Sequence, residues 1–371
     1  MAALGSLNPS AFLKRVLNTK FQNPFAKQNS YLVLDIGSSS IKLAEVQHGS
    51  APRLTALATA PIPATAIQSN VIQDQASVVA VIKALVAETK TQATHVITAV
   101  PGPAVIVKKV VLPAQTGAGI DSAVLGEASQ LIPDSLDNVN LDYQVIDVIE
   151  GGNQMEVLVV AVKRDIINSY TSAIVAADLV PMVVDVDYFA LENMFELNYD
   201  QAGESPVALV NVGARYSSIN ILKNGRSTFT GDVPVGGAEF TDTLVRQLGC
   251  TPEDAELLKL GQGAGGIEAQ AAESIVHSVT EFIVEEIQRS ISFFWTAATD
   301  EPIGSVILSG GPARLPGLST QLQERLETTV EVADPFRRVE VSSKVSRELI
   351  EQCGPALAVA VGLATRRPGD K

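Results

Sequence analysis

The sequence predicts an α/β protein of two related domains, each contributing one tight turn. The prediction rests on two strand–turn–strand units of one build and on a third strand that ends in a double-glycine turn. In the first unit, Tyr31 to Ile36 (YLVLDI) enters the turn Gly37-Ser38-Ser39-Ser40 and leaves through Ile41 to Val46. Apolar runs on both sides of a small, hydroxyl-rich turn read as a β-hairpin. The second unit runs Val207 to Val212 (VALVNV), Gly213-Ala214-Arg215, then Tyr216 to Leu222 (YSSINIL). Superposing Asp35 on Asn211 puts Gly37 on Gly213 and aligns both flanking runs, as a duplicated domain requires. The third element, Ser305 to Leu308 (SVIL), is a buried strand running into Ser309-Gly310-Gly311-Pro312. Upstream of it, Glu281 to Trp295 carries apolar residues at Phe282, Ile283, Ile287, Ile291 and Phe294, the period of a long helix.

The residues in these turns suit an anionic ligand. Glycine lets backbone come close, and successive N–H groups in a turn form an anion-binding nest. The hydroxyls of Ser38, Ser39 and Ser40 add donors for phosphate oxygens. Asp35, at a strand end, suits hydrated Mg²⁺, which proteins hold through one or two carboxylates with waters and phosphates making up the rest. A lone turn of this kind reads as a plain hairpin; two at matching positions point to a site. On the long helix, Glu285, Gln288, Arg289 and Ser292 lie three or four apart and share a face. That face is either solvated or ligand-facing.

Composition narrows the alternatives. A chain of 371 residues, 46% hydrophobic and 18% charged, has material for two or three domain cores. The net charge of −14 argues against nucleic acid, whose phosphates need clustered Lys and Arg. Two cysteines, Cys250 and Cys353, make no disulfide framework, and a reducing cytoplasm fits. His48, His95 and His277 lie far apart and read as surface or half-buried side chains. The apolar run Pro355 to Ala364 is half the roughly 20 residues that a bilayer needs and reads as a buried helix. The first thirty residues show no signal-peptide pattern.

Those first thirty residues differ from the rest. They carry Lys14, Arg15, Lys20 and Lys27 and no acid, which leaves 23 basic against 41 acidic residues beyond them. Asn8-Pro9 reads as a helix start; Phe12, Leu13, Val16, Leu17 and Phe21 share a face, and Pro24 ends the pattern. Residues 8–21 thus suit peripheral contact with anionic lipid, each basic residue contributing roughly 1 kcal/mol. A loose leader, or a helix docked on the acidic body, is the plainer alternative.

The three turns, in this order, resemble the actin superfamily, a duplicated ribonuclease-H-like fold of two lobes and four subdomains. The resemblance implies an ATP site with Mg²⁺. Lys42, seven residues after Asp35, occupies the family's phosphate-reaching place. Asn211, Gly213 and Ala214 correspond to the second phosphate turn, and Gly310, Gly311 and Pro312 to the adenosine turn. Glu285, Gln288, Arg289 and Ser292 match the chaperones' adenine-framing spacing. Asp187, within Val183 to Leu191, is the candidate for the water-positioning acid. Val233 to Gly237 resembles the connecting loop of the FtsA/PilM branch, which adds Gly236 and Gly237. Asn211 departs from the Asp common at its position; a unit charge about 4 Å from a cation is worth on the order of 4 kcal/mol at an effective dielectric of 20. Slow ATP turnover at most is therefore expected.

LDIGSSSIKLAEV (34–46), AVPGPAVIVKKVVLP (99–113), GEASQLIPDSLDNVNLDYQVI (126–146), VLVVAVKRDIINSY (157–170), VVDVDYFALENMFE (183–196) and GPALAVAVGLA (354–364) narrow the resemblance to the PilM family of type IV pilus platform proteins. It spans nearly everything from residue 31 onward. It implies an FtsA/PilM-type inserted subdomain at 60–184 within lobe one (31–200), to which a C-terminal helix at 346–371 returns. Lobe two is expected at 205–345 with a helical insertion at 241–299. The implied function is a scaffold at the cytoplasmic side of the inner membrane that binds the N-terminal peptide of a PilN-type membrane protein and meets the extension and retraction motor ATPases. A homo-oligomeric ring or dimer is compatible with it. The rivals are an FtsA-like filament former, a small-molecule kinase of the same fold, and a scaffold with a degenerate cleft.

Overall fold

A computed structural model describes residues 30–49, 52–149, 151–200, 205–297 and 301–370. The basic arm and its expected helix at 8–21 lie outside them. The first hairpin is β1 (Ser30–Ile36) with β2 (Ser40–Gln47), continued by β3 (Arg53–Pro61). A two-strand ribbon, β4 (Ile67–Gln68) and β5 (Val71–Ile72), leads to α1 (Gln75–Thr89) and β6 (His95–Val100). Next come β7 (Val105–Pro113), α2 (Ala118–Leu131), β8 (Val139–Ile149), β9 (Gln154–Lys163), α3 (Arg164–Ala176), β10 (Val180–Val186) and α4 (Asp187–Asn198). The second half opens with β11 (Val207–Val212), β12 (Ser217–Lys223) and β13 (Arg226–Val233), then α5 (Ala238–Leu248), α6 (Pro252–Leu258) and α7 (Ala269–Ala297). It closes with β14 (Ser305–Ser309), α8 (Leu318–Leu326), β15 (Thr329–Val332), β16 (Glu340–Val341), α9 (Arg347–Cys353) and α10 (Ala358–Leu363).

The two halves repeat one topology. The larger sheet reads β3-β2-β1-β6-β10 and the second reads β13-β12-β11-β14-β15. In each, the hairpin strands pair antiparallel and the last two strands join parallel. Continuous apolar runs are what such central strands need, because both faces are covered. In β1, Leu32, Leu34 and Ile36 enter one core while Val33 enters another. In β11, Ala208, Val210 and Val212 likewise face away from Leu209. Val33 and Leu209 meet in a shared layer between the two sheets, filled by α4 and α10. There α10 lies so close to α4 that a Cβ on Gly362 would sit 1.6 Å from the Ala190 carbonyl oxygen.

The boundaries differ from the expected ones in three places. The inserted subdomain is narrower than 60–184: β6 and β10 belong to the main sheet, while β7, β9 and β8 form a three-stranded sheet of their own, apart from the short β4–β5 ribbon. That sheet has its own core, with Val110, Leu112, Val157 and Met155 under Val124 and Ala128 of α2. The second lobe gives up β16, which adds parallel to β3 at the edge of the first sheet. The C-terminal segment is two helices joined by a 3₁₀ turn, Gly354–Leu357. Pro355, which lacks an N–H for the helix ladder, accounts for the break. The C-terminal segment contacts β10 and the end of β2: Arg366 pairs with Asp185 at 3.0 Å and His48 bonds the Ala364 carbonyl at 2.9 Å. Helices α5 to α7 lie within 238–297.

Candidate functional site

The two turns close in the same way. The Gly37 N–H donates to the Ser40 carbonyl at 3.1 Å, and the Gly213 N–H donates to the Tyr216 carbonyl at 3.0 Å. A Cβ on Gly213 would stand 2.8 Å from that carbonyl oxygen, so the turn is built for glycine. In the first turn Asp35 lies opposite Lys42 in register, and the two form an ion pair at 3.1 Å, each side chain 15% exposed. Ser38 and Ser40 are half-buried and Ser39 is exposed. At the second turn the corresponding pair is Asn211 and Ser218, which carries no charge. Asn211 Oδ1 accepts from the Ser309 hydroxyl at 3.2 Å.

The predicted glycines of lobe two converge. The Gly237 N–H donates to the Gly213 carbonyl at 2.8 Å, and the Ala238 N–H to Ala214 at 2.8 Å. A Cβ on Gly236 would meet the Gly213 oxygen at 2.4 Å, and one on Gly237 would meet Pro312 Cγ at 2.7 Å. Gly310 has φ +93°, and a Cβ there would come within 2.0 Å of the Val212 carbonyl oxygen. Its N–H donates to the Pro355 carbonyl at 2.9 Å. Gly311 opens the 3₁₀ turn Gly311–Arg314 that carries Pro312. Second turn, connecting loop and double-glycine turn are therefore one backbone-lined surface, an arrangement suited to anions.

The helix residues Glu285, Gln288, Arg289 and Ser292 do not join it. Gln288 Oε1 accepts from Arg325 Nε at 2.7 Å, and Arg289 pairs with Glu286 at 2.7 Å and with Glu285 at 3.7 Å. Arg325 sits in the last turn of α8. Because β14 and β15 are parallel and Ser305 pairs with Thr329, that end of α8 lies at the start of β14. The double-glycine turn is at the other end, roughly a nine-residue helix length, about 13 Å, away. The Gln288–Arg325 contact therefore places this part of α7 beside the start of β14, away from the turn.

A different polar group stands near the connecting loop. Thr241, in the first turn of α5, donates to Glu256 Oε1 at 2.5 Å. Lys259 Nζ pairs with the other Glu256 oxygen and lies 3.5 Å from the Thr241 hydroxyl; its side chain is 14% exposed. The Glu256-x-x-Lys259 spacing, one helical turn on α6, was the available signal.

Asp187 opens α4 and is buried. Its Oδ1 accepts from the Gly102 N–H at 2.8 Å and its Oδ2 from the Tyr216 hydroxyl at 2.9 Å. Burial, with a smaller push from the Asp232 charge, lifts its pKa to about 7 against the pull of the Tyr216 hydrogen bond. A carboxyl poised near neutrality suits a general base. Tyr188 packs on Gly102, where a Cβ would lie 2.3 Å from the ring, and its hydroxyl donates to Asp232. Burial raises Asp232 to about 6. The sequence reading missed Tyr216, Tyr188, Asp232 and Gly102; the one hint was a tyrosine at 216 where the first turn has Ser40.

Beside the cleft, a groove of about 390 Å³ separates the inserted sheet from lobe one, lined by Ser69, Asn70, Pro103, Ala104, Asp134 and Lys163 among others. Lys163 and Asp134 pair across it at 3.2 Å. Among the described residues no helix is long and apolar enough to cross a membrane.

Comparison with known proteins agrees with this architecture. A solved PilM–PilN type IV pilus biogenesis complex contains a chain similar to this one at 28% identity and TM-score 0.79, covering 90% of this chain and 97% of that one. The ethanolamine utilization protein EutJ from Carboxydothermus hydrogenoformans shares the fold at 15% identity and TM-score 0.55, covering 96% and 99%. The cell division protein FtsA of Bacillus subtilis matches at 30% identity over 35% of this chain, and the match spans 34% of that protein's length. The fold is actin-like. The family described as type IV pilus assembly protein PilM matches residues 33–368, and the chain belongs to that family.

Proposed function

We propose that this chain is an ATP-binding scaffold of the type IV pilus platform, with slow turnover at most, that takes the N-terminal peptide of a PilN-type membrane protein and links the platform to its motors. The observation that carries the nucleotide reading is the convergence in lobe two of the Gly213 turn with the Gly236-Gly237 and Gly310–Pro312 loops, where a Cβ on Gly213, Gly236, Gly237 or Gly310 would collide with backbone or proline, together with an equivalent turn at Gly37 in lobe one. Asp35 fits hydrated Mg²⁺ and Lys42 fits a phosphate oxygen, since their mutual pairing leaves both partly exposed at the turn. Bound Mg²⁺ would neutralise phosphate charge. The neutral Asn211 supports binding over fast hydrolysis. Thr241, Glu256 and Lys259 frame the nucleoside side in place of the four α7 residues. ATP would act by favouring one lobe arrangement through differential affinity.

The groove between the inserted sheet and lobe one is the proposed peptide site, with Asp134 and Lys163 offering both charges to an extended chain. The basic arm at 8–21 supports peripheral attachment to the inner membrane. The deciding experiment is calorimetric titration of Mg-ATP into wild type, Asp35→Ala and Gly310→Val. Saturable binding weakened by both substitutions supports the reading. No binding to folded wild type leaves a pilus scaffold with a degenerate cleft. Ala104→Arg should abolish capture of a PilN-type N-terminal peptide, and undiminished capture would move the site elsewhere.

A further inference from the structure

The groups that face the cleft are engaged with one another across the lobes. Tyr216 of lobe two donates to Asp187 at 2.9 Å, and Asn220 Nδ2 donates to the Tyr188 carbonyl at 3.1 Å. In the opposite sense, the Tyr188 hydroxyl donates to Asp232 on β13. Arg215 reaches the Ala64 carbonyl. With Gly102 on its other oxygen, the Asp187 carboxylate has both oxygens held by protein donors. The remaining charged and titratable neighbours are Tyr170, Asp232 and, beyond Tyr170, Asp35 with its Lys42. Between Asn211 and Asp232 in register lies Ser218, whose buried hydroxyl has no hydrogen-bond partner.

We propose that Tyr216 and Tyr188 form a latch between the lobes, with the Tyr216 hydroxyl occupying the face of Asp187 that a water attacking a cleft ligand must reach. In the first lobe the equivalent position is Ser40, too short to span the cleft, so the latch is one-sided. The ring of Tyr188 is fixed by its seat on Gly102, which directs its hydroxyl at Asp232. Release of Tyr216 frees Asp187 and opens the cleft together. The ligand part of this proposal rests on the nucleotide reading; the latch itself does not.

The test is peptide-resolved hydrogen–deuterium exchange without nucleotide on the full chain, as wild type, Tyr216→Phe and Asp232→Asn, followed by Mg-ATP titration of each. Phenylalanine keeps the ring and removes the hydroxyl, and asparagine keeps the shape of Asp232 and removes its charge, so the second clasp is tested without a change of volume. Both variants should accelerate exchange in segments 100–106 and 213–218 about tenfold, as loss of a hydrogen bond to a charged group implies. Tyr216→Phe should also bind Mg-ATP several-fold more tightly than wild type. Exchange unchanged in both variants overturns the latch, as does weaker Mg-ATP binding by Tyr216→Phe, which would make the tyrosine a ligand contact. Accelerated exchange with no ATP binding by any protein keeps the latch and removes the nucleotide reading.

Discussion

Replacing Asp187 by Asn should stabilise the protein at pH 8 and do little at pH 4.5. The carboxyl has an ordinary pKa of 3.8 and is raised to about 7 in the fold, chiefly by burial. Each tenfold change in proton affinity is 1.36 kcal/mol, so charging Asp187 in the native state costs at most about 4 kcal/mol. The sign follows from proton uptake. Between the unfolded and folded pKa values the native state holds the proton more firmly, so this group's contribution falls as pH rises from about 4 to about 7. Above that it is constant and unfavourable. Asparagine never charges and its Oδ1 accepts the Gly102 N–H as before, while its Nδ2 can only donate to the Tyr216 oxygen, so the Tyr216 O–H loses its acceptor, a cost that is the same at both pH values and cancels in the difference between them. Urea denaturation of both proteins at pH 4.5 and pH 8 is the assay. The variant should gain roughly 2–4 kcal/mol relative to wild type between the two conditions, with unchanged m-value. Parallel pH curves for the two proteins would refute the reasoning, because they would mean that Asp187 is charged at little penalty or neutral throughout. A carboxylate retained at such a penalty is a mark of function.

Three further outcomes are expected. Gly362→Ala drives a methyl into the Ala190 carbonyl across the α4–α10 contact and should destabilise by about 3 kcal/mol or more, read by thermal melting; a shift under 1 °C would mean that the helices slide freely. Gln288→Ala and Arg289→Ala should leave Mg-ATP affinity at the wild-type value while Lys259→Ala lowers it several-fold, and calorimetry showing the reverse would return the nucleoside site to α7. Asn211→Asp keeps the Ser309 hydrogen bond and adds a charge near the second turn, so ATP binding should become more dependent on Mg²⁺ in titrations with and without the ion.

Much of the frame was legible because its signals are local and repeated. YLVLDI and VALVNV are apolar on both faces because each is a central strand, and a glycine two residues past the last strand acid or amide closes each turn. The inserted subdomain was misjudged because β6 and β10 are apolar runs in sequence like β7 and β9, and only pairing assigns them to different sheets. The face at 285–292 was misplaced because spacing on a helix says which residues share a side and nothing about which end meets the ligand. The interlobe contacts were out of reach for a third reason. Tyr216, Tyr188, Asp232 and Gly102 come from four separated stretches, and no short-range pattern links a glycine to an aromatic ring 86 residues away.

The duplication also explains why the two lobes are chemically unequal. Pairing across the first turn sets an acid against a base, Asp35 and Lys42, so this lobe can present a cation to phosphate and a carboxylate to a hydrated metal. The same register in the second lobe sets Asn211 against Ser218, and the nearest carboxylate in that row is Asp232, one strand further and held by Tyr188. On the proposed nucleotide reading, charge that a fast hydrolase would gather around the metal is divided between the Asp35–Lys42 pair on one lobe and the proposed Tyr188–Asp232 clasp between the two. Lobe position and carboxylate availability are then coupled through the same hydrogen bonds. Such coupling suits a scaffold that reports ligand state to its partners better than it suits an enzyme under demand for turnover.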